Sequence, residues 1–159
     1  MIIFINGSVN AGKTTVAKIL AKKLSNTAVV EIDSLREMIE WMPIDEAVPL
    51  NLENSISVIK NFAKRNLNVI VSYPLSQNNY DYVVSELKDI DTKIYFFTLA
   101  PKLETILTNR GERELNDWER ERIKHHYGVG INNPSFGIII DNSDQIPEET
   151  AEFIFSKIL

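Results

Sequence analysis

Five short apolar runs punctuate the chain, at 1–5, 28–32, 67–71, 94–99 and 136–140, each rich in Ile, Val or Phe. Runs of this length without strict alternation are what a parallel strand buried on both faces requires. The stretches between them carry a different period. Val16, Ala17, Leu20, Ala21 and Leu24 recur at helical spacing after the first run, and Ala151, Ile154, Phe155, Ile158 and Leu159 do so near the end, behind Pro147 and two glutamates suited to a helical first turn. The pattern predicts helices over 13–24, 34–42, 51–66, 79–89, 101–109, 116–127 and 147–159. The stretch 42–50, with Pro43 and Pro49, reads as a short irregular connection. Strands alternating with helices long enough to cross over specify an α/β fold, a five-stranded parallel sheet with helices on both faces. Ligands of such sheets bind beyond the carboxyl ends of the strands.

Composition narrows the function classes. A length of 159 residues with 44% hydrophobic content is the size of a single domain, 1–159, with a real core. There is no repeat and no proline-rich or Gly/Ser linker. With 17 basic against 22 acidic residues the net charge is −5, which argues against nucleic acid or an anionic membrane as the general partner. Cysteine is absent, so disulfides, thiol nucleophiles and Cys-based zinc sites are excluded. The apolar opening is too short for a signal peptide or a membrane span, and a cytoplasmic setting is the expectation.

Chemistry enters directly after the first strand. Gly7-Ser8-Val9-Asn10-Ala11-Gly12-Lys13-Thr14 fits Gly-x-x-x-x-Gly-Lys-[Ser/Thr] at every fixed position, a match that chance supplies about once in two hundred chains of this length. Two glycines let the backbone wrap a phosphate, so that successive N–H groups and the following helix N-terminus point at its oxygens. Gly7, Val9, Asn10, Ala11, Gly12, Lys13, Thr14 and Thr15 therefore form the expected nucleotide-binding set. Lys13 is assigned to the β- and γ-phosphates and Thr14 to Mg²⁺, while Thr15 belongs to the helix.

After the second run, Asp33 falls at the strand's carboxyl end and Arg36 one helical turn later. Phosphoryl transfer asks for a carboxylate that orients or deprotonates the attacking hydroxyl and for cations that neutralise developing charge. Asp33 and Arg36 suit those roles. A helix cap paired with an arginine at i+3 is the structural alternative.

With these residues in hand, the chain resembles the small P-loop kinases of the shikimate kinase and nucleoside-monophosphate kinase group over nearly its whole length. Asp33-x-x-Arg36 is also similar to the arrangement in polynucleotide 5′-hydroxyl kinases, and Ile32-Asp33-Ser34-Leu35 to a stretch of chloramphenicol phosphotransferases. The resemblance implies a three-layer P-loop NTPase fold with a lid at about 109–124, and ATP with Mg²⁺ as the cofactors. It implies that Asp33 sits beside the accepting hydroxyl and also joins Thr14 as a metal ligand. Arg110 would lie against adenine and Arg113 would contact the transferring phosphoryl group, with Arg120 and Arg122 as weaker candidates. Four arginines and five acidic residues over 109–122 fit a solvated, ion-paired helix equally well.

Two departures from the family pattern stand out. The third run leads into Ser72-Tyr73-Pro74 with no Walker B aspartate, and the glycine triplet that shikimate kinases use for their substrate is missing. Ser72 and Tyr73 sit where an acceptor would bind, or satisfy backbone groups at a strand end. Asp141-Asn142-Ser143-Asp144 is either the adenine-edge loop or a polar turn. Trp41 and Met42 are assigned to core packing, and His125 and His126 to structural or solvated helix-end roles. The expectation is an ATP-dependent phosphotransferase acting on a hydroxyl or phosphate of a small-molecule acceptor. Its alternative is a nucleotide-dependent binding module without productive transfer.

Overall fold

The computed structural model describes residues 1–111 and 114–159. Its centre is a five-stranded, all-parallel sheet in the order β2-β3-β1-β4-β5, built from β1 (Ile2–Gly7), β2 (Thr27–Glu31), β3 (Asn68–Ser72), β4 (Ile94–Leu99) and β5 (Ile138–Ile140). Around it run α1 (Lys13–Lys23), α2 (Ile32–Arg36), α3 (Ile44–Ala63), α4 (Gln77–Leu87), α5 (Leu103–Ile106), α6 (Asp117–Gly128) and α7 (Pro147–Ile158). Every residue of β1 is buried, and the period-2 alternation of side chains divides them between two cores. Ile3 and Ile5 pack with Val16, Leu20 and Ile154 from α1 and α7, whereas Ile2 and Phe4 pack with Leu52, Ile59 and Val83 from α3 and α4. Helices thus cover both faces, giving the three-layer α/β fold that the apolar pattern requires.

The departures from the expected elements have local causes. The second helix ends at Arg36 and not at 42, because Met38 and Trp41 find no apolar surface to cover and are each 79% exposed. Core packing for Trp41 is therefore wrong, while Met42 is half-buried. The irregular connection expected over 42–50 is also wrong, since α3 starts at Ile44 and runs through Pro49. Pro43 caps it, its carbonyl accepting from the N–H groups of Glu46 at 3.1 Å and Ala47 at 2.8 Å. An interior proline costs about 3 kcal/mol. Burial of Leu52, Ile56 and Ile59 on the opposite face contributes about 1.5–3 kcal/mol each, and Pro49 itself faces solvent. The helix expected over 101–109 shortens to the four residues of α5.

The register aligns the strand ends that matter. Ile5 and Glu31 both pair with Ser72, and Gly7 pairs with Leu99. The carboxyl ends of β1, β2 and β3 consequently open on one side of the sheet.

Candidate active site

The loop between β1 and α1 is shaped by its glycines. Gly7 takes φ +142°, and a Cβ there would lie 2.6 Å from the Leu99 carbonyl, so only glycine lets β1 pass β4 this closely. Gly12 caps α1 in the left-handed region at φ 95° and offers no side-chain cap. The first helical hydrogen bond, Val16 N–H to Gly12 C=O at 3.0 Å, comes one turn in, so the helix N-terminus is presented to the cleft. Lys13 Nζ donates to the Ser8 carbonyl at 2.7 Å across the loop. Asn10, at φ 64°, donates from its side chain to the carbonyls of Ile106 at 2.8 Å and Thr108 at 3.0 Å, pinning the loop to the end of α5 and the residues just after it.

A cleft of about 820 Å³ opens above this loop, and Val9, Asn10, Ala11, Gly12, Lys13, Thr14 and Thr15 all line it. Gly7 lies behind the wall, where it serves the strand crossing. Thr15 is in α1 as expected and still reaches the cleft. Across from the loop stand Glu31, Asp33 and Ser72. Glu31 escaped the sequence reading: Thr14 Oγ1 donates to its Oε2 at 3.3 Å, and Lys18 lies 3.5 Å from its Oε1. The available signal was the second carboxylate in Glu31-Ile32-Asp33, two positions before the one singled out. Thr14 and Glu31 are hard oxygen donors at the end of the phosphate loop, the set suited to Mg²⁺ that keeps waters and phosphate oxygens for its remaining ligands.

Asp33 lies within α2 and not at the strand end. Its side chain is exposed, yet the cleft walls restrict the water that reaches it. This loss of hydration raises its carboxyl above the ordinary 3.8 against the pull of Lys13 and Arg36, with Glu37 adding to the rise and Arg122 opposing it. The buried phenol of Tyr73 is raised first by burial and then by Asp33, while Arg122 and Arg36 pull it down. Asp33, Tyr73, Arg36 and Arg122 therefore form one electrostatic neighbourhood. Arg36 is exposed and stands outside the wall of the cleft.

Beyond α5, Arg110 and Gly111 also line the cleft. Arg110 donates from Nη2 to the Asn142 carbonyl at 3.1 Å and keeps Nη1 buried and unpaired among the described residues. Asn142 donates from Nδ2 to the Ala11 carbonyl at 3.0 Å and leaves Oδ1 in the same unpaired condition. Both residues line the cleft, and each carries one buried polar atom without a partner among the described residues. Arg113 lies outside the described residues. Arg120 is structural, donating to the carbonyls of Leu107 and Leu115, and helix α6 replaces the second half of the expected lid, with Asn116 and Glu119 closing a capping box. His126 is a second surprise: it is 4% exposed, and its Nδ1 lies 2.9 Å from Ser8 Oγ in the nucleotide loop.

Similarity to known proteins appears at the level of structure. No family model and no curated protein sequence matches the chain. Among solved structures, a tunicamycin resistance protein from Deinococcus radiodurans is 23% identical, with 99% of this chain and 94% of that one aligned at a TM-score of 0.64. A sugar kinase from Janibacter sp. HTCC2649 is 16% identical over 99% and 93% at 0.74, and shikimate kinase from Aquifex aeolicus 16% over 99% and 96% at 0.62. The fold is that of the small P-loop kinases. In this chain the glycine loop, Glu31 at the end of β2 and Arg110 line one cleft.

Proposed function

We propose that the chain is an ATP-dependent phosphotransferase that moves the γ-phosphoryl group to a hydroxyl or phosphate of a small molecule. The observation that carries the reading is a single cleft lined by a phosphate-loop lysine, a paired hydroxyl and carboxylate, Thr14 and Glu31, and a second carboxylate, Asp33. The loop amides, the α1 N-terminus and Lys13 hold the triphosphate, exchanging the Lys13–Ser8 contact for phosphate oxygens. Thr14 and Glu31 hold Mg²⁺, which supplies neutralisation of charge on the phosphate oxygens. Asp33 keeps the role of acceptor base and gives up that of metal ligand to Glu31, since Thr14 bonds Glu31. Its raised carboxyl accepts the proton of the attacking hydroxyl as the new O–P bond forms and the bond to the bridging oxygen of ADP breaks. Arg110 and Asn142 receive the nucleobase end, Arg36 and Arg122 steer the acceptor side, and Arg113 is assigned to the transferring group by resemblance alone.

Turnover measured on a panel of hydroxylated acceptors tests the proposal. Lys13→Ala should lose at least about a hundredfold in kcat/KM, as removal of an electrostatic stabiliser does. Asp33→Asn should lose transfer while keeping ATP affinity. Equal turnover by wild type and Lys13→Ala overturns the proposal. The absence of a strand-three carboxylate favours one other reading, a nucleotide-dependent binding module. That reading requires ATP binding without transfer to any acceptor, and a biological effect that survives Asp33→Asn.

A further inference from the structure

Helix α6 is hydrogen-bonded to the nucleotide loop near its C-terminal end and to the backbone that follows α5 near its N-terminal end. At its C-terminal end His126 meets Ser8, a residue 118 positions away, through a side-chain hydrogen bond of 2.9 Å in which both partners are buried. Ser8 is the residue on which the nucleotide loop folds back. Its carbonyl accepts from Lys13 Nζ at 2.7 Å and from the Ala11 N–H at 3.3 Å. At the N-terminal end Arg120 donates to the carbonyls of Leu107 and Leu115. One helix therefore links the nucleotide loop to the backbone that follows α5.

We propose that His126 is a positioning residue, whose hydrogen bond to Ser8 locks α6 to the nucleotide loop, so that filling of the phosphate loop is transmitted along a single rigid element. Neutral His126 serves this role well, because Nδ1 engages the Ser8 hydroxyl without bringing another positive charge next to Lys13 and Arg122. The helix end has backbone anchors of its own: the His126 carbonyl accepts from Ile131 N–H at 2.9 Å, and the Ile131 carbonyl from Asn6 Nδ2 at 3.3 Å. Removing the imidazole should therefore unlock α6 without unfolding it. The inference rests on the nucleotide-binding reading of the cleft but does not require transfer.

The test uses Ser8→Ala, His126→Ala, their combination and His126→Asn, whose amide nitrogen approximates Nδ1. ATP affinity with Mg²⁺ is read by calorimetry, and amide hydrogen exchange is followed in the loop and in α6. In the wild type ATP should slow exchange in both segments together. Either alanine variant should keep ATP-dependent protection of the loop but lose it in α6, with affinity falling about fivefold, the equivalent of one hydrogen bond. The double variant should fall no further than the weaker single one, and His126→Asn should restore the response. Unchanged α6 protection in the alanine variants, or full additivity, overturns the proposal. Should His126→Ala fail to fold, Ser8→Ala decides by the same criteria. A wild type that binds ATP and protects α6 but transfers to no acceptor overturns the kinase reading alone, and one that binds no ATP overturns both.

Discussion

Burial lowers the His126 imidazole from its ordinary 6.5 to about 4, and the charges of Arg122, Lys13 and His125 push in the same direction. The consequence for stability has a definite sign. Above pH 6.5 both folded and unfolded chains hold the ring neutral. Between about 6.5 and 4 the unfolded chain takes up a proton that the folded one resists, so folding weakens as the pH falls, by on the order of 3 kcal/mol once both pKa values are passed. Urea unfolding at pH 7.5 and pH 4.5 should show His126→Asn losing much less stability than wild type over this interval. Equal losses would mean that His126 does not resist protonation. Such a role was invisible in the sequence, where nothing relates position 126 to position 8. Asp33 is legible because a carboxylate directly after an apolar run stands out, whereas Glu31 lies inside the run at 28–32, and only its hydrogen bond with Thr14 reveals it.

At the scale of elements, hydrophobic period and glycine geometry did different work. The apolar runs located all five strands, although only β1 is buried throughout and Ile138 and Ile139 of the edge strand β5 are exposed. Element ends were less legible, since they depend on what lies across the gap. Trp41 and Met38 read as helix continuation until the fold leaves them without a partner surface, and Pro49 read as a breaker until the buried face of α3 outweighs the lost hydrogen bond. The shortest strand makes the same dependence testable. β5 has only three residues, and Gly137 before it takes φ +72°, with its Cβ position 2.4 Å from the Phe96 carbonyl. Any side chain there must push β5 off β4 or force the backbone from its conformation. Gly137→Ala should cost about 3 kcal/mol or more in urea unfolding, far beyond the roughly 1 kcal/mol typical of a substitution. A variant as stable as wild type would show that β5 does not need this close approach.

For the whole molecule, the question is how folding and ligand binding share one cleft. The loop between β1 and α1 contributes to the core through Ala11 and to the lining of the cleft, and Asn10, Ser8 and Asn142 tie it to three separate segments. A ligand seated there therefore bears on the fold globally. Binding to the folded chain alone stabilises by about 2.7 kcal/mol at a hundred times the dissociation constant. At 2–4 °C per kcal/mol for a chain of this size, ATP with Mg²⁺ should raise Tm by roughly 5–10 °C. Chelation by EDTA should remove most of that rise, because Thr14 and Glu31 would then face the phosphates without the cation between them, leaving a carboxylate against a triphosphate. The same repulsion predicts that Glu31→Gln narrows the gap between Mg²⁺ and EDTA conditions from both sides, weakening the magnesium complex and relieving the metal-free one. A Tm rise equal with and without Mg²⁺ would remove the metal role from Glu31, and the absence of any rise in the wild type would remove the triphosphate from the cleft.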